Sequence, residues 1–237
     1  ERQKGETGMK TKIKGRYVIG FDGKDHEIIE NGEVVYEGDT ILYVGKCCEG
    51  KTEHTEDMGN SVIMPGFIDL NALGDIDHDI LHKEVYRHVK PSLNPSEEYF
   101  NKGTHELMTA EDEAFKSLFA YAQLIRNGVT TAMPITSTYY KKWADTYEEE
   151  EAGVRHAGKL GLRLYTSPSY QCGMGVVRPD GTSTVRFDEE AGEAGLERAR
   201  KFIETYDGAY DGLIRGALLP ERIETQTETV LKRTREY

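Results

Sequence analysis

Hydrophobic positions follow two different patterns along the chain, and the change falls at Pro65-Gly66. Residues 13–64 consist of short runs in which apolar and polar side chains alternate, as in strands with one buried face. Turn-forming residues separate these runs, and Asn31-Gly32 carries the strongest sequence signal for a two-residue hairpin turn. Several short strands at this spacing predict a small β-sandwich.

After Pro65 the pattern becomes a strand followed by a helix, repeated four times. Alternation of this kind implies a parallel sheet with right-handed crossovers. The Gly-rich residues 171–181 are predicted to form a loop. The predicted strands are residues 66–73, 129–135, 162–166 and 213–218, and the predicted helices are residues 110–127, 143–160, 188–206 and 224–237.

The repeated unit predicts the α/β class and a (β/α)8 TIM-type barrel, a fold that needs about 250 residues. Only about the first four units are present, so the inner face of the predicted barrel would be open. We expect either that the sequence is part of a longer protein or that a second copy completes the barrel, and we expect a homo-oligomer. The predicted division is an N-terminal extension at residues 1–12, the β-sandwich at 13–64 and the partial barrel at 65–237.

Composition restricts the partners of the protein. The formal net charge of −12 argues against nucleic acid, whose binding needs a basic face. No apolar run approaches the roughly 18 residues of a membrane-spanning helix, and the N-terminus lacks the apolar core of a secretory signal. Three cysteines are typical of reduced thiols in a cytosolic protein. We therefore expect a cytoplasmic protein that acts on a small molecule, with no nucleic-acid or membrane partner.

Four segments carry a family resemblance. VIMPGFIDL at residues 62–70 is the most specific of them, and LIRNGVTT at 124–131 and AGKLGLR at 157–163 look like helix-to-strand junctions of a barrel. The segment ENGEVVYEGDTILYVG at residues 30–45 resembles a small composite sandwich. Together they resemble the amidohydrolase superfamily, in particular the branch that holds cytosine and guanine deaminases and triazine chlorohydrolases.

The resemblance implies a metal-dependent hydrolase that attacks a carbon bonded to nitrogen or to a halogen. In such an enzyme a divalent metal, expected here to be zinc, lowers the pKa of its bound water and so supplies a nucleophile. The family's first two ligands are histidines with HxH spacing at the end of the first barrel strand. The catalytic residues of the family lie on later strands, and this chain ends before them, so we assign none.

The matching ligand positions here hold Asn71 and Leu73. Leucine cannot coordinate a metal, whereas the asparagine offers a neutral oxygen that is better suited to hydrogen bonding. Three alternatives follow. The next loop could supply replacement ligands, for which Asp75, Asp77 and His78 are the candidates; the later strands could bind the metal alone; or catalysis has been lost.

Candidates for substrate contact come from the ends of the predicted strands, because loops after the strands build the site of a barrel enzyme. These candidates are Asn71, Ser137, Tyr170 and Gln171. The sequence therefore predicts a hydrolase of the deaminase or chlorohydrolase type that acts on a non-peptide carbon–nitrogen bond. The alternative is a non-catalytic binding or scaffold protein that has kept the fold and lost the metal ligands.

Overall fold

The computed structural model describes residues 8–74, 94–106, 108–135, 141–143 and 146–237. Contacts divide the chain into two compact units, Glu1–Gly66 and Phe67–Tyr237. Within the described ranges, no helix is both long enough and apolar enough to cross a membrane. The predicted ligands Asp75, Asp77 and His78, and the predicted contact residue Ser137, lie outside these ranges.

The N-terminal unit is a five-stranded sheet of order β3-β2-β1-β4, in which β5 also pairs with β1. Val18, Ile29 and Val34 form its buried apolar cluster, because these side chains share the covered face of the long strands. The first strand starts at Lys10 and so includes the end of the predicted extension. The strands are β1 (Lys10–Phe21), β2 (His26–Glu37), β3 (Thr40–Gly45), β4 (His54–Asp57) and β5 (Val62–Ile63).

The prediction of a hairpin turn at Asn31-Gly32 is wrong. The turn lies between Phe21 and His26, and β2 runs through Asn31-Gly32 as one strand. Asn31 takes a left-handed conformation with a φ of 53°. A Cβ atom at position 32 would lie 2.7 Å from a Val18 side-chain carbon, so only glycine fits there. The pair therefore lies within a strand that packs closely against its partner, instead of reversing the chain.

The second unit holds a four-stranded parallel sheet of order β11-β8-β7-β6, which confirms the α/β fold class and the partial barrel. A separate antiparallel pair, β9 with β10, follows β8. The elements are β6 (Phe67–Leu73), α1 (Glu97–Asn101), α2 (Ala110–Arg126), β7 (Val129–Ile135), α3 (Tyr147–Leu160), β8 (Arg163–Thr166), β9 (Gly173–Val177), β10 (Ser183–Phe187), α4 (Glu189–Tyr206), α5 (Ala209–Gly212), β11 (Ile214–Gly216) and α6 (Glu228–Glu236).

Local capping chemistry sets where the helices begin. Thr109 caps α2 by accepting a hydrogen bond from the Asp112 amide at 3.2 Å, as its position before an acidic first turn predicts. Two predicted helices begin later than expected, because Thr146 caps α3 and Thr227 caps α6. Each of these hydroxyl groups accepts from an amide in the first turn, so it fixes the first helical residue.

The prediction of a loop at residues 171–181 is also wrong in part. This segment contains β9 and the turn that leads to β10, and the Val177 amide donates to Pro95 O at 2.9 Å. Gly173 and Gly175 obscure the strand in the sequence. They are needed because a Cβ at 175 would lie 2.7 Å from the Asn94 side chain, and a Cβ at 173 would lie 2.7 Å from Val185.

Two apolar clusters hold the second unit together. The larger joins the sheet to the helices that cover its outer face, and Ala72, Ala132 and Leu164 are fully buried in it. The smaller lies beyond the strand ends, where Leu196 and Ala199 of α4 pack with Val230 of α6. The second cluster anchors the chain that follows β8, and that chain contributes to the candidate site.

Candidate functional site

The carboxyl ends of β6, β7, β8 and β11 meet at one edge, because all four strands are parallel. The segments after β8 and β11 run side by side at this edge. The Tyr170 amide donates to Leu219 O at 3.2 Å, and the Glu221 amide donates to Tyr170 O at 2.9 Å. These two main-chain hydrogen bonds hold the segment after β8 against the segment after β11.

At the end of β6, the buried Ala72 shows which way the neighbouring side chains point. Ala72 is fully buried in the cluster between sheet and helices. Side chains alternate along a strand, so Leu73 faces the opposite, inner side of the sheet, whereas Asn71 lies at an irregularity of the β6–β7 pairing between Asp69 and Ala72. Both are exposed, Leu73 by 43%. The Asn71 amide donates to Asp69 Oδ1 at 3.0 Å, which fixes the main chain at this strand end.

Gln171 is the predicted contact residue that the structure places at a cavity. The cavity has a volume of about 230 Å³ and lies between the β9–β10 hairpin and residues 221–225, which follow β11. Gln171 lines it together with Glu221 and Arg222. The main chain on either side of Gln171 is held, because the Glu221 amide donates to Tyr170 O at 2.9 Å and the Cys172 amide donates to Thr225 O at 2.9 Å.

Tyr170, predicted as a substrate contact, instead points into the protein. Its side chain is only 2% exposed and belongs to the cluster beneath α4 and α6. Its hydroxyl lies 2.8 Å from Thr234 Oγ1. Burial raises the pKa of this phenol, and the Thr234 hydrogen bond opposes that rise. Tyr170 therefore has a packing role. Adjacent residues in an extended segment point in opposite directions, so Gln171 can reach the cavity although Tyr170 does not.

Two buried groups of polar side chains lie behind the strand ends. The Thr166 hydroxyl, at the end of β8, donates to Glu150 Oε2 of α3 at 2.7 Å. In α2, Glu113 forms ion pairs with Lys116 and with Lys141, the latter at 3.3 Å. All five side chains are at least nine-tenths buried. The first group therefore fixes the end of β8 against α3, and the second ties the chain after β7 to α2.

The described residues do not fit the metal that the family implies. In residues 8–74, 94–106, 108–135, 141–143 and 146–237, no three His, Cys, Asp or Glu side chains are grouped closely enough to hold an ion. At the two positions where the resemblance implies a histidine pair, Asn71 and Leu73 provide one neutral oxygen between them.

The sequence did not predict the hairpin wall of the cavity. Ser183 and Thr184 of β10 line it, as does Asn94, which precedes α1. A signal for this hairpin was present in STVRF and in the turn residues Pro179-Asp180-Gly181. The glycines of the preceding strand hid the pairing partner.

The chain is similar in sequence to deaminases over nearly its whole length. It is 25% identical over 231 residues to a 5'-deoxyadenosine deaminase of Methanosarcina acetivorans, with 94% of the chain and 45% of that protein covered. It is 28% identical to a 5-methylthioadenosine/S-adenosylhomocysteine deaminase of Thermodesulfovibrio yellowstonii, with coverages of 93% and 45%. The chain thus spans less than half the length of these relatives. No protein-family model matches it.

Solved structures show the same fold. Guanine deaminase from C. acetobutylicum, with bound guanine, matches with a TM-score of 0.60 at 16% identity, covering 96% of this chain and 50% of that one. An atrazine chlorohydrolase from Arthrobacter aurescens, complexed with zinc, matches with a TM-score of 0.63 at 16% identity, with coverages of 95% and 50%. The predicted resemblance is therefore confirmed at this level: the chain is similar in sequence to deaminases and in fold to a guanine deaminase and a chlorohydrolase, and it covers about half of each of these proteins.

Proposed function

We propose that the protein is a hydrolase of the amidohydrolase type that removes an amino group from a nitrogen heterocycle, and that its substrate is a purine nucleoside. The supporting observation is the sequence similarity to nucleoside deaminases, which extends over 94% of the chain. The cavity beside Gln171 lies beyond the carboxyl ends of the strands, where barrel enzymes place their sites.

The metal is part of the same proposal. The family implies a divalent cation that activates water, and one structural relative was solved with zinc. The end of β6 does not provide the usual histidine pair, so we assign no catalytic step to residues of this strand. Asp75, Asp77 and His78 stay predicted replacement ligands. In this proposal Asn71 contacts the substrate by hydrogen bonding from the end of β6.

A non-catalytic binding protein is the second candidate function, and Leu73 is the observation that favours it. An apolar side chain at a ligand position removes one metal bond and leaves nothing in its place. A protein of this kind would bind the heterocycle without hydrolysing it. The cytoplasmic location and the homo-oligomeric state also stay predictions.

The test is ammonia release by the natural full-length protein, measured with adenosine-type nucleosides, together with metal analysis of the purified protein. Activity with a stoichiometric metal supports the proposal. The variants Asn71→Ala and Asp77→Ala/His78→Ala distinguish a substrate contact from metal ligands, because only the loss of a ligand lowers the metal content of the protein. Nucleoside binding without ammonia release would favour the second candidate, and the absence of stoichiometric metal would refute the metal-dependent mechanism.

A further inference from the structure

The loop between β3 and β4 contains two adjacent cysteines. Cys47 is exposed and Cys48 is half-buried, and both are free thiols. They belong to the N-terminal unit, and neither the proposed deaminase chemistry nor the cavity beside Gln171 uses them. Thiolates are the ligands that soft metal ions prefer in proteins. The pair is therefore a candidate for a second kind of metal site, different in its chemistry from the one that the family implies.

Three side chains hold the main chain of this pair. The Tyr43 hydroxyl donates to Cys47 O at 2.8 Å and accepts from the Cys47 amide at 3.2 Å. The Cys48 amide donates to Glu33 Oε2 at 2.9 Å, and Lys12 Nζ donates to Cys48 O at 3.1 Å. All four main-chain polar groups of the two cysteines are thus hydrogen-bonded, although the loop has no regular secondary structure. A loop that is fixed in this way carries its thiols in a preorganised arrangement, as a binding site requires.

The same hydrogen bonds oppose oxidation of the pair to a disulfide. The Cα atoms of adjacent residues lie about 3.8 Å apart across a trans peptide, whereas disulfides usually span roughly 4.4–6.8 Å between Cα atoms. A disulfide between Cys47 and Cys48 would therefore distort the peptide that joins them, and Tyr43 and Glu33 hold that peptide at its carbonyl and at its amide. A metal ion adds a bond of about 2.3 Å to each sulfur, so it can bridge the two thiols without this distortion.

The number of available ligands decides which ion suits the pair. Structural zinc sites take four protein ligands. In the part of the chain that the structure describes, no third His, Cys, Asp or Glu side chain lies close enough to the pair to build up such a set. Copper(I) is softer than zinc and is stable with two thiolate ligands alone. The pair therefore suits copper(I) better than zinc.

The charges around the pair match the complex that would form. Copper(I) bound by two thiolates carries one net negative charge. Glu33 is shared by Lys12 and Lys14, at 2.9 Å and 3.0 Å, so these three side chains together keep one positive charge. Lys10 Nζ and the sulfur of the second cysteine lie 3.6 Å and 3.5 Å from the position that a Cβ atom on Gly50 would take, so a further ammonium group lies near the thiols. These positive charges stabilise an anionic complex.

We propose that Cys47 and Cys48 bind one copper(I) ion through both sulfur atoms. Each thiol gives up its proton when it binds the metal, and no atom is oxidised or reduced. Tyr43 and Glu33 are positioning residues, because they hold the main chain of the two ligands and do not touch the ion. The proposal is independent of the deaminase activity, since it concerns other residues and another metal.

The experiment titrates copper(I) into the reduced natural full-length protein in the absence of oxygen, in competition with the chromophoric chelator bathocuproine disulfonate. The variant Cys47→Ser/Cys48→Ser should bind one copper(I) ion fewer per chain than the natural protein. Tyr43→Phe keeps both thiols and should weaken the binding of that ion about tenfold, the effect of one or two hydrogen bonds. Cys172→Ser, the same substitution at the buried thiol of the second unit, is the matched control and should leave this affinity unchanged.

The proposal is overturned if the double variant binds as much copper(I) as the natural protein, or if zinc binds at the pair as tightly as copper(I). A disulfide between Cys47 and Cys48 that forms readily with oxidised glutathione, detected by mass spectrometry, would also overturn it, because the held peptide should prevent that bond. Cys47→Ser alone, a change at an exposed side chain, should lose the same ion, and it replaces the double variant if that variant does not fold.

Discussion

Replacing Glu33 with glutamine tests the ion-pair network of the N-terminal sheet. The Glu33 carboxylate is 6% exposed and is surrounded by three donors. Lys12 Nζ and the Cys48 amide each lie 2.9 Å from Oε2, and Lys14 Nζ lies 3.0 Å from Oε1. Burial by itself raises the pKa of Glu33, but these hydrogen bonds and the lysine charges outweigh it and lower the pKa to about 2.

The magnitude follows from that pKa. Each tenfold change in the ionisation constant corresponds to roughly 1.4 kcal/mol, so a fall of the pKa from 4.5 to about 2 stabilises the fold by roughly 3 kcal/mol. Because the folded pKa is depressed, this stabilisation is complete above pH 4.5 and is lost as the pH falls towards 2. Glu33→Gln keeps the shape of the side chain and removes its charge, so it should lower the free energy of unfolding by up to roughly 3 kcal/mol at neutral pH.

The assay is urea unfolding followed by far-UV circular dichroism at about pH 7 and about pH 3, the second being where less than half of the stabilisation should persist. Hydrogen exchange of peptides from β1 and β2 locates the change in the N-terminal unit. Glu30→Gln is the matched control, because Glu30 lies exposed on the same strand. Equal losses for the two variants at pH 7, or a Glu33→Gln loss that does not shrink at pH 3, would refute the reasoning.

Three further changes test the second unit. Thr166→Val removes the donor to the buried Glu150 and should cost about 1–3 kcal/mol in urea unfolding; a neutral effect would contradict the assigned bond. Tyr206→Phe should remove one late-titrating phenol from the ultraviolet pH titration, because its hydrogen bond to Glu151, helped by burial, raises the pKa of Tyr206 to about 12; the stability that this bond adds is present below pH 10 and is lost as the pH rises towards 12. Gly195→Ala should lower the Tm although alanine favours helices, because the added Cβ would lie 2.7 Å from Tyr170 Cβ. An unchanged or raised Tm would count against this packing.

Much of the fold follows from local sequence features. The helix at Ala110–Arg126 starts and ends close to the prediction, because its cap, its acidic first turn and its terminal Asn127-Gly128 act through neighbouring residues. The parallel sheet follows from the alternation of strands and helices. At Asn31-Gly32 the local signal was strong and still failed, since packing against Val18 fixed that glycine within a strand.

Less of the candidate site than of the fold could be predicted from the sequence. Gln171 was correctly placed beyond the end of β8, but the hairpin that faces it was not predicted, because the glycines that allow its close packing also weaken its strand signal. At the end of β6, the sequence identified Asn71 and Leu73 as departures from the family pattern. The structure adds that both side chains are exposed at this strand end, whereas Ala72 between them is buried against the helices.

The sequence by itself predicted the alternation of parallel strands and helices after Pro65, the cap of α2 and the resemblance to amidohydrolase-type proteins, because these depend on residues close together in the chain. The tertiary structure decided which of two adjacent candidates reaches the cavity. Tyr170 turns inward to Thr234, whereas Gln171 turns outward beside Glu221. That choice depends on contacts with residues far along the chain, and such contacts exist only once the strands, helices and hairpin have packed.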